Sequence, residues 1–341
     1  MSILRKDPIT GRWVILIEER RRSRRHFPHQ YREHREEREC PFCEGKEHLT
    51  PPEILAFRDK NTQPNTPGWS LRIVPDKSPM LRVESEIDSQ GIGMYDTMNG
   101  LGAHEIVIEN NIHNASFDNM SIKIINDIFL AYQRRITDLT KDIRLKYILI
   151  SKNFGAGAGA VMPFQHPHSH LVAYPFIPHI PKAECDGAKI YWKYHNRCIY
   201  CDMVAQELNN PNERIIYSND DFIILAPFAS RFPYEMWIIP LKHSHIFSGD
   251  DRLFESLALT FKEFIIRMNT VLSIPPYNLV IHSAPLSDEF AEFYHWHIEI
   301  RPRISLVAGF EWGSGIYTNA IFPETAAKEL REVEIKSADI Y

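Results

Sequence analysis

Residues 104–113, HEIVIENNIH, and residues 234–243, YEMWIIPLKH, decide how this chain is built. Each is a run of β-prone residues that ends on a histidine, and nine positions separate His104 from His113 as they separate Tyr234 from His243. Each leads into a long helical pattern: SIKIINDIFLAYQRRITDLTKDI begins at Ser121, a natural N-cap, and DRLFESLALTFKEFIIRMNTVL begins at Asp251. A second β-prone run follows, KYILIS (146–151) or YNLVIHS (277–283), and then a histidine pair, His166/His168 or His295/His297. Ahead of each series stands a C-x-x-C pair, Cys40/Cys43 or Cys198/Cys201. From His113 to His166 is 53 positions; from His243 to His295 is 52. Chance can supply one such match, but a whole series in one order implies duplication of a strand–helix–strand unit. The expected units are 1–185 and 186–341.

Other β-prone runs are RWVILI, SLRIVP, FIILAP and HWHIEIRP, and a shorter helix, ETAAKELREV, follows Pro323. Proline-rich and polar stretches such as GKEHLTPPE and DKNTQPNTPGW read as loops. The 341 residues are 44% hydrophobic and 24% charged, a globular profile with a formal net charge of −5, which argues against a nucleic-acid binder. The opening MSILRKDPITGRW lacks an apolar signal segment, and no run approaches the roughly 18 apolar residues of a membrane span, so a cytoplasmic location is expected.

Five cysteines are too few for a disulfide framework, and four fall in the two C-x-x-C pairs. A structural zinc site takes four thiolate or imidazole ligands, and a C-x-x-C turn supplies two. The duplication nominates the rest: Cys40, Cys43, His113 and His166 for one zinc, and Cys198, Cys201, His243 and His295 for a second, with His245 as an alternative. The competing readings are reduced, buried cysteines of no consequence, or a redox dithiol. The dithiol is disfavoured because neither pair opens a helix in a thioredoxin-like βαβ pattern.

FQHPHSH, residues 164–170, then leaves His168 and His170 without a structural task. On a strand, residues two apart project from one face about 6.6 Å apart, so a metal on His166 would anchor the strand beneath a bare His168. Pro167 has no N–H for a ladder, which predicts a sheet edge or a bulge. The preceding NFGAGAGA (153–160) lets backbone amides approach an anion closely.

DPITGRWVIL, CPFC, HEIVIENNIH, HPHS, YEMWIIP, PPYNLVIHSAP, HWHIEIRP and GFEWGSGIYTNAIFPE together resemble the galactose-1-phosphate uridylyltransferase branch of the histidine-triad superfamily, across most of the chain. CIYC and GFEWGSG look more like its ADP-sugar phosphorylase relatives. The resemblance implies an α+β fold in which duplicated histidine-triad-like half-barrels form one continuous, mostly antiparallel sheet with outer helices. It implies a homodimer acting on a nucleotide-sugar and a sugar 1-phosphate or phosphate. His168 would be the nucleophile, carrying the nucleotidyl group between donor and acceptor. His170 stands where the family has a glutamine, and recreates the H-x-H-x-H of the hydrolytic branch, so transferase, phosphorylase and hydrolase readings stay open beside an inert scaffold. The family's phosphate-binding serine is missing before His166. Arg20, Asn153 and Glu311 match substrate-contacting positions, and Asp76 stands where the family has an asparagine near the ribose. For uridylyltransferases the resemblance implies another second metal set, Glu184, His282, His295 and His297. Both sets claim His295, and the stronger hold of thiolates on zinc favours the cysteine set.

Overall fold

The computed structural model describes residues 2–20, 40–160, 165–336 and 340. In chain order the strands are β1 (Ser2–Lys6), β2 (Trp13–Ile17), β3 (Leu55–Arg58), β4 (Trp69–Pro75), β5 (Gln90–Ile92), β6 (Tyr95–Thr97), β7 (Ala103–Ile108), β8 (Tyr147–Phe154), β9 (His168–Tyr174), β10 (Ile215–Ser218), β11 (Phe222–Leu225), β12 (Met236–Pro240), β13 (Tyr277–His282), β14 (His297–Pro302) and β15 (Tyr317–Asn319). The helices are α1 (Ile122–Leu139), α2 (His179–His195), α3 (Ile199–Asn209), α4 (Pro211–Arg214), α5 (Asp251–Leu272), α6 (Gly309–Ser314) and α7 (Pro323–Arg331).

Ten strands form one sheet in the order β10-β11-β12-β14-β13-β8-β9-β7-β4-β3. The order is a palindrome: β13, β14, β12, β11 and β10 repeat, outward from the centre, the path of β8, β9, β7, β4 and β3. Every ladder in this sheet is antiparallel, including the central seam, where Asn278 of β13 faces Asn153 of β8. The fold is mixed α+β, with the two half-barrels of the duplication joined into a continuous sheet. β1, β2 and β15 form a separate three-stranded sheet, and β5 with β6 a small hairpin.

Amphipathic spacing seats α1 and α5 on one face. Ile125, Ile128, Phe129 and Tyr132 of α1 and Phe254, Leu257, Phe261 and Ile265 of α5 are fully buried against Ile73, Leu171, Leu279, Ile281 and Ile298 of the sheet. Both helices are capped: Ser121 accepts from the Ile124 amide, and Asp250 accepts from the Leu253 amide at 2.8 Å. The cap of α5 thus lies one residue before the expected start.

The opposite face differs between the halves. Over β11, β12 and β14 it is roofed by α2 and α3, through Ile199, Tyr200, Val204, Trp237 and Tyr294. Over β4, β7 and β9 the roof is a smaller cluster around Cys40, Phe42, Trp69 and Ile106. Among the described residues the first half is thus the less heavily covered: His168 is 7% exposed and its second-half counterpart His297 is 1% exposed.

One expectation needs correction. β9 lies between β8 and β7 in the middle of the sheet, not at an edge or bulge. Pro167 is tolerated because it precedes the first ladder residue, and its carbonyl still accepts the Glu109 amide at 3.0 Å. For the second cysteine pair the expectation holds, although Cys198 is the N-cap of a helix, α3. It follows α2 rather than a strand, so the βαβ context of a redox dithiol is absent there.

Candidate active site

Alternation along β9 sends Leu171 and Ala173 into the helix-side core, and with them Ser169, which bonds the Tyr132 hydroxyl at 2.7 Å. His168 and His170 therefore project from the other face. His168 is 7% exposed and donates its Nδ1–H to the His166 carbonyl at 2.7 Å, leaving the Nε2 lone pair unshared with that bond. Burial pushes its pKa down to about 3, and the positive Lys152 adds to that effect, so the ring is neutral at pH 7. The Phe42 ring stands 5.4 Å from it.

From beneath, a buried ionic group holds the strand. Lys152 of β8 pairs with Glu109 and donates to the His168 carbonyl at 3.1 Å, while Glu109 also accepts from the Tyr132 hydroxyl at 3.2 Å. Spacing alone did not point to this set, although the lysine within ILISKNF and the glutamate after the apolar run of IVIEN are charged interruptions of apolar strands that could have revealed it.

One turn away, Cys40, Cys43, His113 and His166 bring four donor atoms within 4.8 Å of one another. His166 donates its Nε2–H to the Asn110 carbonyl at 2.6 Å, which leaves Nδ1 directed toward Cys43 Sγ, 3.7 Å away; His113 Nδ1 is 3.3 Å from the same sulfur. The second copy repeats this. Cys198, Cys201, His243 and His295 gather equally closely, His243 donates Nε2–H to the Ala291 carbonyl at 2.8 Å, and Nδ1 of His243 and of His295 lie 3.3 and 3.6 Å from Cys201 Sγ. His245 is outside the group. Two thiols and two imidazoles, with one imidazole in each site held by a carbonyl at its far nitrogen, are a donor set that fits a tetrahedral zinc.

The alternative metal set gathers with one exchange: Glu299 joins Glu184, His282 and His297, while His295 stays with the cysteines. The competition for His295 thus disappears. Arg231 bonds Glu299 at 2.7 Å and Glu235 at 2.6 Å, so this fully buried group already contains its counter-charges. Burial alone would lower His282, but Glu184 and Glu299 raise it to about 9, which suits an ion pair better than a ligand. His297 occupies the place of His168 in the second half, and is 1% exposed beneath Trp237 and Tyr200, whose ring centroids lie 4.9 and 5.3 Å from its own.

Of the substrate-matching positions, Asp76 reaches the histidine cluster: its Oδ2 is 3.6 Å from His104 Nε2, and His104 Nε2 is 3.1 Å from His170 Nδ1. Asn153 sits on the seam, where Asn278 donates to its Oδ1 at 2.7 Å and to the Ala158 carbonyl at 2.9 Å. Those bonds tie down the Gly/Ala loop, whose Gly155 and Gly159 adopt φ of 81° and 98° that disfavour any side chain. Glu311 serves its own turn, accepting from the Thr318 hydroxyl at 2.7 Å and the Ala308 amide at 3.0 Å. Arg20 ends a 3-10 turn, Glu18–Arg20, and its side chain lies outside the described residues, as do residues 161–164 of the segment lacking the serine. A cavity of about 120 Å³ abuts the lead-in to β9, lined by His113, Lys152, Gly155, Gln165 and His166 among others.

Fold and site together define a class, and comparison with known proteins gives it a name. The description "Galactose-1-phosphate uridyl transferase, N-terminal domain" matches residues 1–178, and its C-terminal counterpart matches 184–339. The chain belongs to the galactose-1-phosphate uridyl transferase family and is an enzyme of the nucleotidyltransferase type. It is 34% identical to the ADP-glucose phosphorylase of Arabidopsis thaliana, covering 97% of this chain and 93% of that protein. Likeness to the galactose-1-phosphate uridylyltransferase of Thermotoga maritima is 27%, over 98% and 100%. The Arabidopsis enzyme solved with bound ADP-glucose superposes with a TM-score of 0.82, over 98% of this chain and all of that one, at 34% identity.

Proposed function

We propose that this chain moves a nucleoside monophosphate from a nucleotide-sugar to a sugar 1-phosphate through a covalent bond to His168. The observation that carries the proposal is the His168 Nδ1–H bond to the His166 carbonyl at 2.7 Å, in a ring that burial keeps neutral. The free Nε2 lone pair attacks the α-phosphorus; the P–N bond forms as the P–O bond to the leaving sugar 1-phosphate breaks, and that oxygen keeps the electron pair. An acceptor phosphate oxygen then attacks the same phosphorus, and the P–N pair returns to Nε2. His170 serves as a hydrogen-bond donor to the phosphoryl oxygens. Asp76, Asn153, Glu311 and Arg20 are assigned to substrate contact.

Cys40, Cys43, His113 and His166 would hold one zinc, and Cys198, Cys201, His243 and His295 a second. The first zinc would supply rigidity to the segment that precedes His168, with no part in bond-making. Units 1–185 and 186–341, a dimer and a cytoplasmic location complete the proposal. Among the described residues no helix is long and apolar enough to cross a membrane.

A second reading has its own support: the 34% identity to an ADP-glucose phosphorylase favours an adenine nucleotide with inorganic phosphate as acceptor. Incubation with radiolabelled UDP-glucose or ADP-glucose should place label on His168, and His168→Gly should remove it. A wild type that takes label from neither sinks both readings. Turnover that ignores galactose 1-phosphate and phosphate alike would mark a hydrolase instead.

A further inference from the structure

His104 had no place in the sequence pattern except as a spacer, yet it is the neighbour of His170. The two lie on adjacent strands: Ile106 of β7 faces His170 of β9 directly, which puts His104 on the diagonal, and their rings stack with centroids 5.4 Å apart. Which nitrogen carries each proton can be read from the far end. The Met80 amide N–H points at His104 Nδ1 from 3.3 Å, so that nitrogen accepts and is proton-free. Asp76 Oδ2 stands 3.6 Å from Nε2, where a carboxylate favours a proton; its other oxygen accepts the Ser78 amide at 2.7 Å. His104 Nε2–H therefore faces His170 Nδ1 at 3.1 Å, and His170 must accept there and keep its own proton on Nε2.

The donor atoms of Asp76, His104 and His170 are also close enough to surround a cation. A cation on His104 Nε2, however, would require a ring without a proton on either nitrogen, because Met80 already donates to Nδ1. Metal-bound histidines donate from the second nitrogen rather than accept there. The Met80 contact decides for the proton chain.

We propose that His104 is a positioning residue that fixes the tautomer of His170, so that His170 presents an Nε2–H to the phosphoryl oxygens of the nucleotidyl group on His168. It rests on the nucleotidyl-histidine reading above. His168 and His170 share one face of β9, with ring centroids 5.3 Å apart and edge to face. An imidazole has two tautomers, and only one of them donates from Nε2. A neighbour that removes the other raises the fraction of competent sites without touching substrate.

Nitrogen-15 NMR of histidine-labelled resting protein reads the tautomer directly. His170 should show a protonated Nε2 and a bare Nδ1 in the wild type and in His104→Gln, whose amide N–H can still reach Nδ1. His104→Ala should give a tautomer mixture. Rapid-quench measurement of label transfer to His168 should slow by about 10- to 100-fold in His104→Ala, less than or comparable to deleting one transition-state donor. His104→Gln should recover most of the rate. In a His170→Gln background, whose amide has no tautomer to set, His104→Ala should have no further effect. A wild-type His170 protonated on Nδ1, or an equal His104→Ala penalty in both backgrounds, would overturn the proposal. Absence of label on wild-type His168 would overturn the parent reading and the phosphoryl partner given to His170. The NMR result, taken without nucleotide, separates the two failures.

Discussion

Lys152 is the residue whose position most needs a reason. The residue is 3% exposed in the middle of the sheet, where an isolated charge would be untenable. Glu109 neutralises it, Tyr132 shares the carboxylate, and a second ammonium proton goes to the His168 carbonyl at 3.1 Å. The pair thus fixes the backbone of the proposed nucleophile from the helix side, while the ring itself faces the other way. Lys152→Met removes one partner and leaves a buried, unpaired carboxylate. Such a loss costs about 3–5 kcal/mol, and urea unfolding should show it as a lowered midpoint with little change in slope. Adding Glu109→Gln should restore much of that stability, because an amide needs no counter-charge. A Lys152→Met midpoint equal to wild type would mean that the carboxylate finds another partner.

At the scale of elements, legibility followed the strength of the local signals. α1 and α5 could be read from capping residues and large apolar side chains at helical spacing, and the strands around the seam from their β-branched runs. α2 could not: it buries the small Cys185 and Ala188 beside Pro181, and carries a glycine near its middle, which ordinarily weakens a helix by about 1 kcal/mol relative to alanine. The structure gives that glycine a task. A Cβ on Gly187 would stand 1.8 Å from the Ile9 carbonyl oxygen, so the turn between β1 and β2 lies directly on the helix backbone. Gly187→Ala should therefore push that turn away, at about 1–3 kcal/mol for an overpacked contact, and lower the melting temperature by several degrees. An unchanged melt would show that the turn relocates freely. β5 and β6 escaped notice for a different reason: all six residues are exposed, so no buried face imposes an alternating pattern. Pro167 misled because proline's exclusion from central strands applies inside the ladder, and the ladder begins one residue later.

The whole molecule presents one design twice, and the proposed chemistry uses it once. Spacing revealed the duplication and both Cys/His groups, but it could not reveal that α2 and α3 roof the second half. That follows from tertiary packing, and among the described residues α2 has no helical counterpart in the first half. His297 is consequently sealed under Trp237 and Tyr200, with its Nε2 lacking a hydrogen-bond partner among the described residues, whereas the described residues place a smaller cluster over His168. On the proposed zinc assignment this asymmetry separates two equal losses of metal. Cys40→Ser should lose about one metal equivalent per chain and release the segment through His166 that sets His168, lowering kcat by about 10- to 100-fold, the scale on which ligand-orienting contacts act. Cys198→Ser should lose the same equivalent and a comparable share of folding stability, since metal affinity and folding are linked at both sites. Its kcat, scored per folded molecule, should stay near wild type, because His295 leads only into the sealed His297. Metal content by mass spectrometry, melting temperature and single-turnover label transfer measured on both variants would decide the matter. Equal losses of kcat would mean that the central β13–β8 seam carries disturbance from the second half into β9, and that the two copies act as one mechanical unit.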